Sequence, residues 1–575
     1  MIFIKEYEKW LNSDVVDDNT KNELLSIKED DNEKKSRFAS MLKFGTGGLR
    51  GILGAGLNRM NIYTVRYATQ GLANLILKQE KKDISRGVVI AYDCRIMSSE
   101  FSKEVACVFV ANGIKTYLFD ELRPTPELSF AIRQLNCIAG VNITASHNPK
   151  QYNGYKAYWE DGAQLSPEYS KIVLDEIKTA DIFSDVKTMP FEKAKKDGFI
   201  IEIGQEIDNL YLDNVLKQSI NAQFVKNLGE SLKVVYTPFH GAGYKLVPQV
   251  LKRLGLKKLY TVQSQMIPDG NFPTVKSPNP EEKEGFSLAI ELAKKENIGL
   301  IIATDPDADR IGLVVRNSLG EYVNINGNQI GVILLNYIIT ARMQNNTLPK
   351  NACVIKTIVS TELATEICIQ NDISIVNVLT GFKFIGEKIK EWETTGQHNF
   401  IFGFEESYGY LSGTYARDKD AVFASMILTE VAAYYQSKNM TLCDALNSIY
   451  EKYGYYDEKT ISITMDGVDG LEKTKKLMSF LRQDIACKID GVDVKFFKDY
   501  KSGIVTQLLT GNTSQTNLPI SDVIYYELED KSVIVVRPSG TEPKVKVYFM
   551  VKGKNFEQCQ TKISNFQKYF KDVLK

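Results

Sequence analysis

The chain has 575 residues, 43% of them hydrophobic, enough for several cores when single domains hold roughly 100–200 residues. Lysine plus arginine (71) equals aspartate plus glutamate (71), so no global field draws the protein to nucleic acid or an acidic membrane, although a local basic site averages out of that sum. The eight cysteines form no C-x-x-C pair, no run reaches the ~18 apolar residues of a membrane span, and acids follow within a few residues of Met1, so the reading is a cytoplasmic protein with scattered reduced thiols and no signal peptide.

From Tyr7 to about Leu42 the sequence is charged, with Trp10, Leu11, Leu24, Leu25 and Phe38 as scattered apolar points. This reads as helices on the surface of a first domain, with Asp30 to Lys35 a solvated face or linker. Phe44-Gly45-Thr46-Gly47-Gly48-Leu49-Arg50-Gly51 follows. No strand is read before it, Arg50 stands where a dinucleotide fingerprint needs a third glycine, and the Gly-Lys-Ser/Thr of a P-loop is absent. Its glycines let backbone amides approach an anion that Arg50 could pair with; a flexible loop is the plainer alternative.

Strands and helices then alternate. Val88–Tyr92 is a strand ending at Asp93, Ser99–Ala111 a helix and Ile114–Phe119 a strand. Pro124-Thr125-Pro126 precedes a helix from about Glu127, and Ile138–Ile143 is a buried strand. A second round runs through Leu232–Thr237, the turn Pro238 to Gly243, the helix Tyr244–Leu254, Lys258–Val262, a helix after Pro280 and the strand Ile298–Ala303. A third has a helix Gln329–Arg342, strands Val354–Val359 and Ile375–Leu379 around a helix Thr361–Gln370, and a strand Asn399–Phe402 before Gly403. Such units predict three similar α/β domains with mixed, mostly parallel sheets over roughly the first 440 residues. In the last part, Thr460–Thr464, Val523–Glu527, Ser532–Val536 and Lys544–Tyr548 read as strands, with helices Gly470–Phe480 and from Asn555 grouped apart. That predicts a C-terminal α+β domain with an antiparallel sheet. The expected domains are 1–205, 206–320, 321–445 and 446–575, arranged around one central cleft.

Four stretches carry chemistry. Thr144-Ala145-Ser146-His147-Asn148-Pro149 offers Ser146 at a strand end, where α/β folds place reacting groups; a polar turn is the alternative. Asp305-Pro306-Asp307-Ala308-Asp309-Arg310 sets three carboxylates at alternate positions after a buried strand, a density of oxygen ligands that suits Mg²⁺. An EF-hand would need glycine and glutamate where Arg310 and Arg316 stand. Gly403-Phe404-Glu405-Glu406-Ser407-Tyr408-Gly409 offers a carboxylate and a hydroxyl two apart, able in an extended loop to bond vicinal sugar hydroxyls; a simple loop is the plainer reading of these residues alone. In Arg537-Pro538-Ser539-Gly540-Thr541-Glu542-Pro543-Lys544, Arg537 can fork onto a phosphate beside Ser539 and Thr541; a tight turn is the alternative.

A serine hydrolase would want a Gly-x-Ser-x-Gly elbow and a histidine base, and gives no reason for three aspartates. His147, a sequence neighbour, is expected to point away from Ser146 in extended backbone. Phosphoryl transfer explains more of the features. Thr144 to Pro149, continuing as Tyr152-Asn153-Gly154-Tyr155-Lys156, resembles the phosphoserine loop of the α-D-phosphohexomutases, and the other three motifs resemble that family in the right order, from Gly45 to Tyr548. The likeness is strongest to the phosphoglucomutase branch.

The resemblance implies a phosphoserine at Ser146, its phosphate completing the Mg²⁺ ligands Asp305, Asp307 and Asp309. Arg50 would face the reacting group, with Lys156 as acid/base and His147 as the second choice. Arg310, Thr380, Gly381 and Lys383 would contact substrate, Glu405 and Ser407 the sugar, and Arg537, Ser539, Gly540, Thr541 and Lys544 the phosphate that is not reacting. Arg417-Asp418-Lys419-Asp420 would add charge nearby or be a solvated salt-bridge cluster. The implied reaction interconverts glucose 1-phosphate and glucose 6-phosphate through a glucose 1,6-bisphosphate that also serves as activator. Phe404 replaces a small residue and Tyr408 the usual phenylalanine of the family's sugar loop, which leaves mannose phosphate, pentose phosphate or a bisphosphate product as alternatives, and outside the enzymes a sugar-phosphate binding protein. The partner expected is a small sugar phosphate, with monomer and dimer both open.

Overall fold

The computed structural model describes residues 2–45, 47–78, 84–465, 470–539 and 544–573. The chain forms two compact units: Met1–Asn326 with Gly386–Gly396 and Ser407–Thr441, and Gly327–Ile385 with Gln397–Glu406 and Leu442–Lys575.

The first unit opens with helices Ile2–Leu11, Asp18–Ser26 and Asp31–Phe38. Asp17 accepts from the Thr20 amide and Asp30 from those of Asn32 and Glu33, so the second and third helices each start on a side-chain cap. The apolar points of this segment converge: Trp10 is fully buried and meets Phe38, Tyr63 and Phe183 edge-on. The Asp30–Lys35 stretch is the cap and first turns of the third helix rather than a linker.

Two mixed sheets follow. The first runs, edge to edge, Gly48–Ile52, Tyr152–Trp159, Ala139–Ile143, Val88–Tyr92, Thr116–Phe119, Ile200–Ile203. Its last four strands are parallel, and Tyr152–Trp159 runs antiparallel to both its neighbours. The second runs Tyr322–Ile325, Ile311–Arg316, Leu300–Thr304, Lys233–Thr237, Lys258–Thr261, with the first three antiparallel and the last three parallel. Four of these strands were not expected from the sequence: Gly48–Ile52, Tyr152–Trp159, Ile200–Ile203 and Tyr322–Ile325. Glycine density hid Gly48–Ile52, which is a strand rather than a free loop, and the return strand Tyr152–Trp159 was masked by its Asn-Gly pair. The close fit of these strands requires the glycine: a Cβ on Gly48 would lie 1.8 Å from the Tyr155 carbonyl oxygen.

In the second unit, Ser374–Val378, Ala352–Thr357 and Asn399–Glu405 are neighbouring parallel strands. The C-terminal sheet is antiparallel through Tyr455–Thr464, Lys544–Gly553, Val533–Pro538, Ile524–Leu528, Val492–Asp499, Ile504–Gln507 and Thr513–Gln515. Helices Gly470–Gln483 and Phe556–Val573 supply Met478, Leu481, Ile563, Phe566 and Phe570 to its core. The expected architecture of α/β sheets plus a C-terminal α+β domain holds.

Candidate active site

The register of the first sheet sets the serine loop. Tyr92 pairs with Ile143, so the next residues, Asp93 and Thr144, emerge side by side, and Thr144 Oγ1 donates to Asp93 Oδ2 at 2.6 Å. Thr144 Oγ1 in turn accepts from the Ser146 amide at 2.8 Å. The chain returns along Tyr152–Trp159, so Ser146 sits at the tip of a hairpin. Ser146 is buried and holds φ 51°, a left-handed conformation that costs a non-glycine residue roughly 1–2 kcal/mol. This corrects the expectation for His147: the left-handed turn breaks the alternation of extended chain and brings His147 Nδ1 to 3.2 Å from Ser146 Oγ.

The aspartates occupy the tip of a second hairpin. Thr304 pairs with Ile311, leaving Asp305–Arg310 as the turn, with Ala308 at φ 48°. Ser146 Oγ donates to Asp305 Oδ2 at 2.6 Å, and one carboxylate oxygen from each aspartate lies within 4.8 Å of the others. All three are buried, and Asp307 Oδ1 and Asp309 Oδ1 have no hydrogen-bond partner. Oxygen atoms this close, buried and unsatisfied, with a serine hydroxyl beside them, are the donor set a hard divalent cation takes.

Two ammonium groups already face the triplet. Lys156 Nζ lies 2.7 Å from Asp307 Oδ2 and 3.3 Å from Asp309 Oδ2, and Lys419 Nζ lies 2.9 Å from Asp309 Oδ2. Burial and the two neighbouring aspartates push the Asp305 carboxyl well up, whereas for Asp307 burial is outweighed by the nearby Lys156 and its hydrogen bonds, which hold it down. Burial lowers the Lys156 ammonium, but Asp307 and Asp309 together raise it above its ordinary value. Burial, with Arg310 and Arg50 adding, pushes the His147 imidazole down to about 2. Arg50 lies on its strand opposite Gly154, exposed, and donates to Asn148 Oδ1 at 3.0 Å. Arg310 reaches Glu281 at 3.2 Å, and its amide donates to Asp305 Oδ1. Ser407 belongs to this unit and is half-buried.

The second unit carries the other expected residues. Thr380 and Gly381 follow Ser374–Val378, Gly381 with φ 116°, and the buried Lys383 has its ammonium 5.0 Å from the Phe384 ring centroid. Glu405 is the last residue of its strand rather than part of a loop, and is buried. Phe404 is fully buried with its ring over Gly331, so its extra size is absorbed inside this unit. Arg537 lies near the end of a strand opposite Lys546, and the Ser539 amide donates to the Lys544 carbonyl at 2.7 Å. Gly540 and Thr541, like Thr46 of the glycine-rich stretch, lie outside the described residues.

Sequence reasoning missed Thr125 and left Lys419 undecided. The Thr125 amide and hydroxyl donate to the Asp307 carbonyl and Oδ2 at 2.8 and 2.9 Å, and Asn142 Nδ2 donates to Thr125 Oγ1 at 2.7 Å. Lys419 is buried with Asp418, which accepts from the Tyr158 hydroxyl at 2.8 Å, so this segment is part of the site's charge balance. The signal for both is contact between residues far apart in the chain, which local pattern does not carry.

Family models described as Phosphoglucomutase/phosphomannomutase match residues 41–182 (alpha/beta/alpha domain I), 209–320 (domain II), 326–453 (domain III) and 506–556 (C-terminal domain). A Staphylococcus aureus (strain MSSA476) protein named phosphoglucomutase is 39% identical over 536 residues, 93% of this chain and 94% of its own. The fold is shared with Paramecium pp63/parafusin (TM-score 0.68, 18% identity, 94% of this chain and 95% of that one). It is also shared with a putative phosphomannomutase from Thermus thermophilus (TM-score 0.66, 20% identity, 92% and 99%). With the serine and aspartate hairpins in contact and all four family segments matched in order, the chain belongs to the phosphoglucomutase/phosphomannomutase family and is an isomerase, an intramolecular phosphotransferase.

Proposed function

We propose that the protein interconverts glucose 1-phosphate and glucose 6-phosphate, with Ser146 carrying the phosphoryl group. The observation that supports this most is the 2.6 Å contact between Ser146 Oγ and Asp305 within the buried triplet. A free hydroxyl of the sugar phosphate attacks the phosphorus of phospho-Ser146. The sugar O–P bond forms, the serine O–P bond breaks, and the product is glucose 1,6-bisphosphate. The bisphosphate turns around, and Ser146 Oγ takes the other phosphoryl group.

Asp305, Asp307, Asp309 and the Ser146 phosphate would hold Mg²⁺, which supplies positive charge for the transferring group. Arg50 adds a guanidinium to that charge. Lys156, kept as an ammonium by Asp307 and Asp309, gives a proton to the leaving oxygen, and the amine so formed takes the proton of the attacking hydroxyl; its Nζ lies 2.7 Å from Asp307 Oδ2. His147 Nδ1 orients the Ser146 hydroxyl. Arg310, Thr380, Gly381 and Lys383 contact the substrate, and Glu405 and Ser407 accept from and donate to its hydroxyls. Arg537, Ser539, Gly540, Thr541 and Lys544 hold the phosphate that is not reacting. Glucose is the sugar named for the relative at 39% identity, and the burial of Phe404 away from solvent supports keeping that preference. The eight free thiols fit a cytoplasmic setting, and no helix among the described residues is long and apolar enough to cross a membrane.

A coupled assay tests this. Glucose 1-phosphate with Mg²⁺ and trace glucose 1,6-bisphosphate should yield glucose 6-phosphate, with kcat/KM above that for mannose 1-phosphate or ribose 1-phosphate. No product with any of the three sugars would reject the reading, and a higher value for another sugar would reject the glucose preference.

A further inference from the structure

Asp93-Cys94-Arg95 follows the strand Val88–Tyr92 and takes no part in the chemistry described so far. Arg95 is 3% exposed. Its Nη2 donates to the carbonyls of Ser146 and Asn148, and its Nη1 to those of Pro149 and Tyr152 at 3.0 Å each. Its Nε lies 3.4 Å from Asp93 Oδ2. One planar guanidinium, whose donors have fixed directions, thus holds four main-chain carbonyls of a single loop. Asp93 completes the frame, accepting from Thr144 Oγ1 at 2.6 Å and from Ser98 Oγ at 2.8 Å.

The other side of Arg95 faces the segment after strand Lys258–Thr261 of the aspartate-bearing sheet. The guanidinium carbon lies 5.2 Å from the Phe272 ring centroid. Gly270 approaches so closely that a Cβ there would be 2.4 Å from the Ile96 amide nitrogen. The same side chain therefore grips the serine loop and seats it against the part of the chain that carries the triplet. The residue it holds through its carbonyl, Ser146, is the one in left-handed backbone at φ 51°. Arg50 differs: it is exposed and reaches the loop only through the Asn148 side chain among the contacts described.

We propose that Arg95 is a positioning residue for phosphoryl transfer: a buried fork that fixes the Ser146 turn so that Oγ stays aimed at Asp305 when the phosphoryl group arrives and leaves. This rests on Ser146 being the carrier proposed above. Removing the fork lets the loop relax toward ordinary backbone, so the reacting atoms lose alignment while the groups that bind sugar are untouched. The expected signature is a fall in kcat of about 100-fold with KM within about threefold, the size of effect that an ångström of misplacement produces.

The experiment compares wild type, Arg95→Ala, Arg95→Lys and Ser146→Ala for turnover and for labelling by glucose 1,6-bisphosphate bearing a labelled phosphate, with circular dichroism as the check on folding. Failure of the wild type to take label at Ser146 rejects the carrier reading itself. With the wild type labelled, the proposal expects R95A to take label slowly, to lose kcat rather than KM, and to recover about tenfold with millimolar guanidinium ion, while S146A does not recover. R95K, which keeps the charge but not the fork, should stay at least about tenfold below wild type. A folded R95A or R95K with wild-type labelling and kcat overturns the proposal. So does loss of folding in both, which would make Arg95 a residue of the fold rather than of the reaction.

Discussion

Ser146 Oγ and Asp305 Oδ2 lie 2.6 Å apart although 159 residues separate them in the chain. Each is at the tip of its own hairpin, and the two sheets bring the tips together. Asp307 Oδ1 and Asp309 Oδ1 have no hydrogen-bond partner in this arrangement, which is costly for buried carboxylates unless a cation takes them up. Asp307→Asn and Asp309→Asn should each weaken Mn²⁺ binding, read by electron paramagnetic resonance, by about 10–100-fold and lower turnover by at least as much. Wild-type Mn²⁺ affinity in both variants would contradict a metal site here.

Lys156 and Lys419 share the Asp309 carboxylate at 3.3 and 2.9 Å, and Lys156 also touches Asp307 at 2.7 Å. Lys156→Met should therefore lower kcat by about 10²–10⁴-fold if it moves the proton. The readout is single-turnover transfer from labelled enzyme to glucose 1-phosphate. A K156M rate within about threefold of wild type would remove Lys156 from that role.

Burial, and then the neighbouring Glu405, push the Glu406 carboxyl up from 4.5 to about 7. The unfolded chain has the ordinary value, so between these two values the folded state binds more protons. The contribution is fully present below 4.5 and is lost as pH rises through about 7. The urea midpoint of the second unit should fall between pH ~5 and ~8 in the wild type, and fall less in Glu406→Gln. Equal pH dependence in the two proteins would show that Glu406 is not the group responsible.

A Cβ on Gly331 would lie 2.5 Å from the buried Phe404 ring. Alanine gains up to about 1 kcal/mol of helix propensity, but overpacking against a ring that cannot swing away costs about 1–3 kcal/mol. The clash should win, and Gly331→Ala should destabilise the second unit by about 1 kcal/mol in denaturant unfolding. Adding Phe404→Leu should reverse part of the loss; if the double variant is worse than the sum, the pair is not complementary in the way described.

The aspartate triplet was legible because its chemistry is compact: three carboxylates at alternate positions after an apolar strand. The Ser146 loop was legible as a strand end, and the alternation of strands and helices gave the layers. What could not be read was set by contacts distant in sequence. Gly48 and Gly154 signal flexibility when read locally, yet they allow neighbouring strands to pack at backbone distance. His147 obeys the left-handed turn at Ser146, a conformation that no residue in the loop announces. Thr125 and Lys419 join the site only after folding, through Asp307 and Asp309. Glu405 ends a strand that continues past Gly403, where sequence patterning had stopped it.

The most direct measurement is phosphopeptide mapping of the protein after incubation with glucose 1,6-bisphosphate and Mg²⁺. The account predicts one phosphate per chain, on Ser146, discharged when glucose 1-phosphate is added, and none on Ser146→Ala. Turnover of glucose 1-phosphate by the S146A protein at a rate near wild type, or a discharged phosphate on any other residue, would contradict it.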